Sequence, residues 1–220
     1  EQYETELRQR LGIENRLLRM AGAKARQDPR TIVFSEAENQ KILRTAQLVY
    51  EEGIALPILL GNEEKIKQIA EASRIDLTDI RIIDPKADEM DEKRKQYGEL
   101  FFNKRKRKGF NRYESSRVMK DRNYFGCMMV ESGDADAMLS GLSRNYPDTI
   151  RPALQTVGLE PGVKRVAGMY VIMGKRGPLF LADTTVNFNP TAEELAGIAL
   201  MVAKEVRNFG ITPVVAMLSY

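Results

Sequence analysis

The chain has 220 residues, of which 43% are hydrophobic and 30% charged, a balance typical of folded globular proteins and not of disordered or membrane-spanning ones. Its 34 basic and 31 acidic residues leave a formal charge of +3, so net charge gives no reason to expect nucleic acid as a partner. With no histidine and one cysteine, the chain cannot form histidine-based catalytic sets, histidine-ligated metal sites or internal disulfides. Any catalysis by these residues would depend on carboxylates, lysines, arginines, hydroxyls or backbone dipoles.

The first residues predict a pair of helices. Residues 1–11 carry Tyr3, Leu7 and Leu11 at a spacing of four, which favours a narrow amphipathic helix, and a second helical segment follows over residues 13–25. The N-terminus has no charged, apolar and cleavable pattern of a secretory signal. We therefore expect a cytoplasmic location and no contact with a membrane.

The next part of the chain alternates strands and helices. We predict strands at residues 31–34, 55–60 and 80–83, with helices over residues 40–52 and 63–72 between them. This order implies right-handed crossovers and a parallel sheet. In such sheets ligands bind beyond the carboxyl ends of the strands, and the polar turn SEAEN follows the first strand at one such end.

A charged helix is predicted over residues 88–103, and the densest basic run of the chain, KRKRK, follows it at residues 104–108. One interpretation is a solvated helix end, because cations are favourable at a helix C-terminus just before Gly109. A nucleic-acid contact is a second interpretation. A ligand site is a third, and it follows from the resemblance described below.

Another helix is predicted over residues 110–122, with Tyr113 and Met119 facing inward. The apolar run FGCMMV at residues 125–130 has the length and character of a buried strand or helix turn. Its Cys127 is expected to be a buried structural thiol.

Residues 133–154 combine glycine, acidic and basic residues between two apolar segments, a composition typical of a ligand site. Gly141 permits a close approach of the backbone to a ligand, and Arg144 and Arg151 flank the polar loop. Pro152 suits the first turn of a helix, where an arginine and free N–H groups could meet a phosphate. An ordinary crossover loop, with the arginines paired to nearby carboxylates, is the alternative. The candidate partners are Asp134, Asp136 and Asp148.

The last third of the chain predicts a hairpin, a helix and a closing strand. The hairpin strands span residues 163–173 and 179–182. Thr191 and Glu194 form a capping-box pattern at the start of the helix. The closing strand is predicted over residues 213–218.

The pattern SG-x6-DT-x-RPALQ at residues 140–155 resembles the phosphate acetyltransferase and butyryltransferase family. Similar stretches occur in the family's order at IDPK (83–86), KRKG (106–109), YFGxMM (124–129), FLAD (180–183), NPTAEEL (189–195) and VAMLSY (215–220). The resemblance covers residues 28–220. The form GLSRNYPDTIRP at residues 141–152 is most similar to the version attached to the C-terminus of large bacterial NADP-dependent malic enzymes.

The resemblance implies an α/β fold, a three-layer α/β/α arrangement with a mainly parallel sheet, followed by an incomplete second α/β domain. It implies a helical connector over residues 1–27, a first phosphotransacetylase-like domain over 28–150 and the start of a second domain over 151–220. Acetyl-CoA or coenzyme A is the implied ligand, and Lys41 replaces the arginine that the family usually has there. The residues implied to bind the coenzyme A or phosphate groups are Lys41, Arg105, Ser143, Arg144, Thr149, Arg151 and Asp183.

Our leading expectation is a C-terminal domain of a malic enzyme that senses an acyl-CoA and helps to assemble a homo-oligomer. The partner would be the malic-enzyme catalytic domain, which would hold NADP and a divalent metal outside this segment. The alternatives are a free-standing acyltransferase that moves acetyl or butyryl between coenzyme A and phosphate, or a vestigial dimerisation module. In the family, a Ser-Thr-Lys-Gly-Ser loop and an acid-base aspartate follow the position of Tyr220, so we expect no catalytic residues and no catalysis by this segment alone.

Overall fold

The computed structural model describes residues 13–174 and 177–218, with side chains from residue 18 onward. The chain divides into a compact unit of Ala25–Gly158 and a second unit that contains Leu159–Tyr220 together with Glu1–Lys24. The helix predicted over residues 1–11 lies outside the described residues. The domain boundaries proposed from the sequence, at residues 27/28 and 150/151, remain predictions.

The unit Ala25–Gly158 is built on a four-stranded parallel sheet. Its strands are β1 (Arg30–Phe34), β2 (Ala55–Leu60), β3 (Arg81–Ile83) and β4 (Ala137–Leu139), in the spatial order β3-β2-β1-β4. The predicted α/β fold with a mainly parallel sheet is confirmed. Because β2 lies on one side of β1 and β4 on the other, the connections that leave β1 and β4 diverge, and this divergence opens a crevice at their carboxyl ends.

Helix α1 (Ile13–Gln27) precedes the sheet, and most of it belongs to the other unit. Helices of the sheet's own unit cover both faces of the sheet. They are α2 (Gln40–Glu51), α3 (Glu63–Ser73), α4 (Asp91–Arg105), α5 (Arg112–Val118), α6 (Arg122–Glu131) and α7 (Tyr146–Thr156). Successive side chains of a strand point to opposite faces, so Val33 joins the core that contains Phe125 of α6, whereas Phe34 joins the core that contains Leu43 of α2. The result is the expected three-layer arrangement.

The apolar run at residues 125–130 lies inside helix α6, which settles the choice between strand and helix. The helix predicted over 110–122 is instead two elements, since the Asp121 carboxylate accepts hydrogen bonds from the N–H groups of Asn123 and Tyr124 and so begins α6. Met119 is buried as predicted. Tyr113 is 74% exposed, so its predicted inward orientation was wrong.

Helix α7 begins earlier than the sequence suggested. Asn145 is its N-cap and accepts from the Asp148 N–H at 3.1 Å, so Arg151 lies inside the helix and not at its start. Pro152 is also internal, and its ring nitrogen cannot donate to the carbonyl of Asp148. The fully buried Asn123 donates to that carbonyl instead, at 3.2 Å. A proline in a helix is accommodated here because a neighbouring side chain satisfies the orphaned acceptor.

The second unit contains an antiparallel hairpin of β5 (Met169–Gly174) and β6 (Gly177–Ala182), followed by helix α8 (Ala192–Asn208). Its capping box, with Thr191 and Glu194, is confirmed. The first strand is shorter than predicted because the Gly168 N–H donates to the Asp183 carboxylate at 2.8 Å. Residues 213–218 pair with no strand in the part of the chain that the structure describes.

Candidate functional site

The loops at the carboxyl ends of β1, β2, β3 and β4 surround a cleft of about 790 Å³. Glu38 lies after β1, Gly61 and Asn62 after β2, Asp84 after β3, and Arg144 after β4. This is the edge of a parallel sheet at which ligands are expected, and it includes the point where β1 and β4 diverge.

A buried carboxylate joins two of these loops. Glu36, which is 5% exposed, follows β1, and its Oε2 accepts from the N–H groups of Gly141 at 2.8 Å and Leu142 at 2.7 Å. Its Oε1 accepts from the Ser143 N–H at 2.9 Å and from the Ser143 hydroxyl. Consecutive N–H groups that converge on one anion form a nest, and Gly141 reaches this geometry with a φ of +109°.

The electrostatics of this nest keep Glu36 ionised. Burial raises the pKa of Glu36, but hydrogen bonds from the Ser143 hydroxyl and from the N–H groups of Leu142, Ser143 and Gly141 outweigh burial and lower it to about 2. At neutral pH the nest therefore holds a full negative charge of the protein itself.

The remaining residues of the loop after β4 are also anchored. The Ser140 hydroxyl donates to Oδ1 of Asn123 at 3.0 Å, and Nη1 of Arg144 lies 2.8 Å from Oδ2 of Asp121. Asn145 caps helix α7. Every residue from 140 to 145 thus has a specific partner, which fixes the loop from which Arg144 reaches the cleft.

The floor of the cleft is formed around Gly61. Glu38 accepts from the Asn62 N–H at 3.1 Å and forms an ion pair with Nη1 of Arg122 at 3.1 Å. Nη1 of Arg122 is buried and makes no hydrogen bond within the described residues. Its contact with Glu38 is therefore an ion pair whose geometry does not meet that of a hydrogen bond. A Cβ atom at residue 61 would lie 3.1 Å from Ile66 and 3.3 Å from Arg122, so the absence of a side chain there keeps the floor open.

Both arginines of the cleft are neutralised by carboxylates, whereas three lysines are not. Lys65, Lys86 and Lys120 line the cleft, and their ammonium groups have no ion-pair partner among the residues that the structure describes. Two carboxylates of the lining, Glu64 and Asp84, likewise have no ion-pair partner among the described residues, so the cleft presents separate cationic and anionic groups. The sequence did not single out these lysines.

Two arginines, Arg105 and Arg151, act electrostatically on Tyr124 of helix α6. The Tyr124 hydroxyl donates to Gln155 at 2.5 Å. Burial raises the pKa of Tyr124, the positive charges of Arg151 and Arg105 oppose that effect, and the negative charge of Asp121 adds to it. Arg105 is half-buried, and its Nε has no hydrogen-bond partner among the described residues.

The structure thus brings four of the expected ligand residues into two groups. Ser143 and Arg144 lie in the anchored loop, where Ser143 is committed to Glu36. Arg105 and Arg151 lie near Tyr124; Arg151 is largely exposed and 3.9 Å from Asp148.

Two other expected ligand residues, Lys41 and Thr149, do not line the cleft. Lys41 is exposed in the first turn of α2 and is not part of the cleft wall. The Thr149 hydroxyl donates to the Asn145 carbonyl at 3.2 Å, a contact within helix α7. All seven assignments remain predictions.

Asp183 belongs to the second unit. Its carboxylate accepts from the N–H groups of Gly168 at 2.8 Å and Asn187 at 2.7 Å, and from the Asn187 side-chain amide. Burial raises the pKa of Asp183, but these hydrogen bonds, together with that from the Val186 N–H, lower it below its ordinary value. Asp183 therefore organises the turn that follows β6.

The observed ion pairs bear on two alternatives that the sequence left open, the partners of Arg144 and Arg151 and the role of the basic run at 104–108. Arg144 pairs with Asp121, which was not among the candidate partners, and only Arg151 lies near a predicted one. Asp136 instead accepts from the Thr31 N–H at 2.8 Å. In the basic run at 104–108, Lys104 pairs with Glu131 and donates to the Thr156 carbonyl at 2.9 Å.

Several residues of this edge were missed by sequence reasoning, and they differ in the signal available. Glu36 lies in the polar turn after β1, so its position at a strand end was a usable signal. Asp121 precedes an apolar run in the manner of an N-cap. Asn123 and Gln155 offer no local signal, because their partners are distant in the sequence.

Neither a metal site nor a membrane span is found in the described ranges. No group of three or more cysteine, aspartate or glutamate side chains there is arranged to hold a metal ion. No helix there has both the length and the apolar character needed to cross a bilayer.

Two solved structures resemble the chain closely. A phosphotransacetylase from Streptococcus pyogenes superimposes with a TM-score of 0.84 at 32% identity, over 93% of this chain and 62% of that one. The EutD phosphotransacetylase from Staphylococcus aureus superimposes with a TM-score of 0.82 at 30% identity, over 91% of this chain and 59% of that one.

Sequence relatives agree with this fold. A phosphate acetyltransferase of Clostridium acetobutylicum is 37% identical over 203 residues, which are 89% of this chain and 60% of the relative. The phosphate acetyltransferase of Synechocystis is 39% identical and is covered to 27% of its length. The chain therefore spans about 60% or less of the curated relatives it matches. The family model for phosphate acetyl/butaryl transferase matches residues 17–220, and the chain belongs to that family.

Proposed function

We propose that the chain binds a coenzyme A thioester and phosphate at the carboxyl edge of its parallel sheet, as part of a protein that transfers an acyl group between them. The relatives reported above carry the name phosphate acetyltransferase, and that reaction moves an acetyl group onto phosphate. The chain spans only part of those relatives, so the complete reaction is proposed for the protein that contains this chain.

The observation that carries the proposal is the group of three lysines that line the cleft at the sheet edge. Lys65, Lys86 and Lys120 are unpaired within the described residues and face one cleft, which suits a ligand with several phosphate groups. Arg105 and Arg151, whose positive charges both act on the Tyr124 phenol, are further candidate ligands for an anion. A guanidinium can hold a phosphate or carboxylate with two parallel hydrogen bonds, so this pair suits the smaller anion.

Acyl transfer from a thioester to phosphate requires mainly groups that stabilise negative charge on the thioester carbonyl oxygen. An oxygen of phosphate attacks the thioester carbonyl, negative charge develops on the carbonyl oxygen, and the thiolate of coenzyme A leaves. Positive groups near the carbonyl stabilise that charge, which usually provides the largest part of the rate enhancement. A cationic edge can provide this stabilisation without histidine. Cys127 is buried and burial raises its pKa to about 11, so it is unsuited to act as a nucleophile.

The more specific reading, a regulatory C-terminal domain of a malic enzyme, rests on the sequence form at residues 141–152. The structure gives that form a local role: Asn145 caps helix α7 and Pro147 lies in its first turn. The relatives reported above are phosphate acetyltransferases, so they favour the acyltransferase reading. The malic-enzyme context, the acyl-CoA sensing and the homo-oligomer remain predictions.

Ligand binding is tested by thermal unfolding of the chain with acetyl-CoA. A specific ligand at about 100 times its dissociation constant adds roughly 2.7 kcal/mol of stability. We expect Lys65→Ala and Arg151→Ala to reduce this stabilisation. The matched control is Arg112→Ala, because Arg112 is an exposed arginine paired with Glu99 away from the cleft. No stabilisation of the parent chain, or equal losses in the control, would contradict the proposal.

The two specific readings differ in their products. Acyl transfer predicts acetyl phosphate from acetyl-CoA and phosphate in the protein that contains this chain. The malic-enzyme reading predicts NADP-dependent formation of pyruvate from malate in that protein, with an acetyl-CoA effect on its rate and no acetyl phosphate.

A further inference from the structure

Glu36 occupies a position that a ligand anion could otherwise take. It lies where the connections from β1 and β4 diverge, and it receives the N–H groups of three consecutive residues and one hydroxyl. These donors come from residues 105 to 107 positions later in the sequence. The nest is therefore filled by the protein itself, and a bound phosphate must use other groups at this edge.

The filled nest determines where the neighbouring side chains lie. Ser143, which gives both its N–H and its hydroxyl to Glu36, is followed directly by Arg144, whose guanidinium lies in the cleft against Asp121. Asn145 then starts helix α7, the helix that carries Arg151. A change in the backbone at 141–143 would therefore shift Arg144, the start of helix α7 and Arg151.

We propose that Glu36 is a positioning residue whose carboxylate fills the backbone nest of residues 141–143 and so fixes Arg144 and the start of helix α7 at the cleft. It contacts the loop and not the ligand. The neighbouring carboxylate Glu38 has a different role, since it contacts Asn62 and Arg122 on the floor of the cleft. Glu38 thus provides a matched control from the same turn.

The test measures residue-resolved amide hydrogen exchange in the full 220-residue chain without any ligand. Glu36→Ala should raise the exchange rates of Gly141, Leu142 and Ser143 by at least about tenfold, because hydrogen bonds to a charged acceptor are lost. Glu38→Ala should leave these three amides within about twofold of the parent and affect Asn62 instead.

Chemical rescue separates positioning by an anion from a general loss of packing. Glu36→Ala removes a fragment the size of acetate, so added acetate should restore slow exchange at residues 141–143. Acetamide has the same shape without the charge and should not. Equal effects of acetate and acetamide, unchanged exchange in Glu36→Ala, or equal loosening in Glu38→Ala would overturn the proposal.

If Glu36→Ala does not fold by circular dichroism, Glu36→Gln provides the test, because glutamine keeps the size and removes the charge. It should raise exchange at residues 141–143 by several-fold and should not respond to acetate, since its side chain still occupies the space. Parent-like exchange in this variant would equally contradict the role of the carboxylate.

The consequence for ligand binding rests on the proposed function. Loosening the loop should weaken the stabilisation by acetyl-CoA, and acetate should restore it together with the exchange pattern. If the loop loosens as expected but the parent shows no acetyl-CoA stabilisation, the proposed function fails while the positioning role stands.

Discussion

The carboxylates of Glu36 and Asp183 each accept hydrogen bonds from several backbone N–H groups, but they stabilise different kinds of structure. Glu36 accepts from three residues that lie 105 to 107 positions away, in the loop after another strand. Asp183 accepts mainly from its own turn, at Thr185, Val186 and Asn187, with Gly168 as its distant contact. Glu36 joins two loops at the sheet edge, whereas Asp183 closes one turn.

The contacts of Glu36 span more than 100 residues, whereas most contacts of Asp183 are local, so the two depend differently on the rest of the fold. A local turn can form early and keep part of its structure when the rest of the unit is perturbed, whereas contacts over 100 residues form only when the sheet is complete. Glu36 is also 5% exposed, while Asp183 is half-buried. We therefore expect substitutions at Glu36 to have the larger effects.

The largest effect is expected from Glu36→Gln. Each pKa unit corresponds to about 1.36 kcal/mol, so lowering the pKa of Glu36 from 4.5 to about 2 corresponds to roughly 3 kcal/mol of stability at neutral pH. Urea unfolding at pH 7 measures it. A loss below about 0.5 kcal/mol, which is typical of surface changes, would contradict the account.

The pH dependence sharpens this prediction. Because the folded-state pKa of Glu36 is depressed, its contribution is fully present above about pH 4.5 and is lost as pH falls toward about 2. The stability gap between the parent and Glu36→Gln should therefore close over that range. Other carboxylates with lowered pKa values, such as Asp134 and Asp183, titrate in both proteins and cancel in the difference. A gap that is independent of pH would mean that packing, and not charge, accounts for the loss.

Asn123→Ala tests the connection between the anchored loop and helix α7. Asn123 donates to the Asp148 carbonyl, which Pro152 leaves without its helical donor, and accepts from Ser140. We expect a loss of about 2 kcal/mol, because a buried acceptor is left unsatisfied. Combining Asn123→Ala with Pro152→Ala, which restores a backbone N–H, should recover part of this loss. If the double variant loses as much unfolding free energy as the two single variants together, Asn123 does not compensate for Pro152.

The smallest effect is expected at Asp183. Asp183→Asn keeps the size of the side chain and removes its charge, so the turn should lose about 1 kcal/mol or less, given its partial exposure. Amide exchange should rise at residues 185–187 and stay unchanged at 141–143. Loosening at 141–143 would mean that the two carboxylates do not act independently.

The sequence predicted the parts of this molecule that depend on local patterns. The apolar strands at 31–34 and 55–60, the helices between them and the capping box of α8 all follow from periodicity or from short motifs. The strand order on the two sides of β1 and the partner of Glu36 depend on long-range pairing, which no local pattern contains.

The errors have the same origin. Pro152 was assigned to a helix start because proline is common there, and its place inside α7 depends on a donor from Asn123 in another helix. Strand β5 was predicted to begin at residue 163 instead of Met169, because the acceptor that holds the Gly168 N–H, Asp183, lies 15 residues away. The candidate ligand residues taken from the motif at 140–155 remain predictions. The three lysines of the cleft become visible only when separate loops are brought together, because no local pattern links them.

Backbone amide chemical shifts of the ¹⁵N-labelled chain, followed during titration with acetyl-CoA, test most directly whether the ligand binds at the carboxyl edge of the parallel sheet. We expect shift changes at the cleft, in residues 61–65, 84–86, 120–122 and 144, and their loss in the Lys65→Ala variant. Absence of shifts at saturating ligand, or shifts confined to residues 159–218, would contradict the placement of the ligand at the carboxyl edge of the parallel sheet.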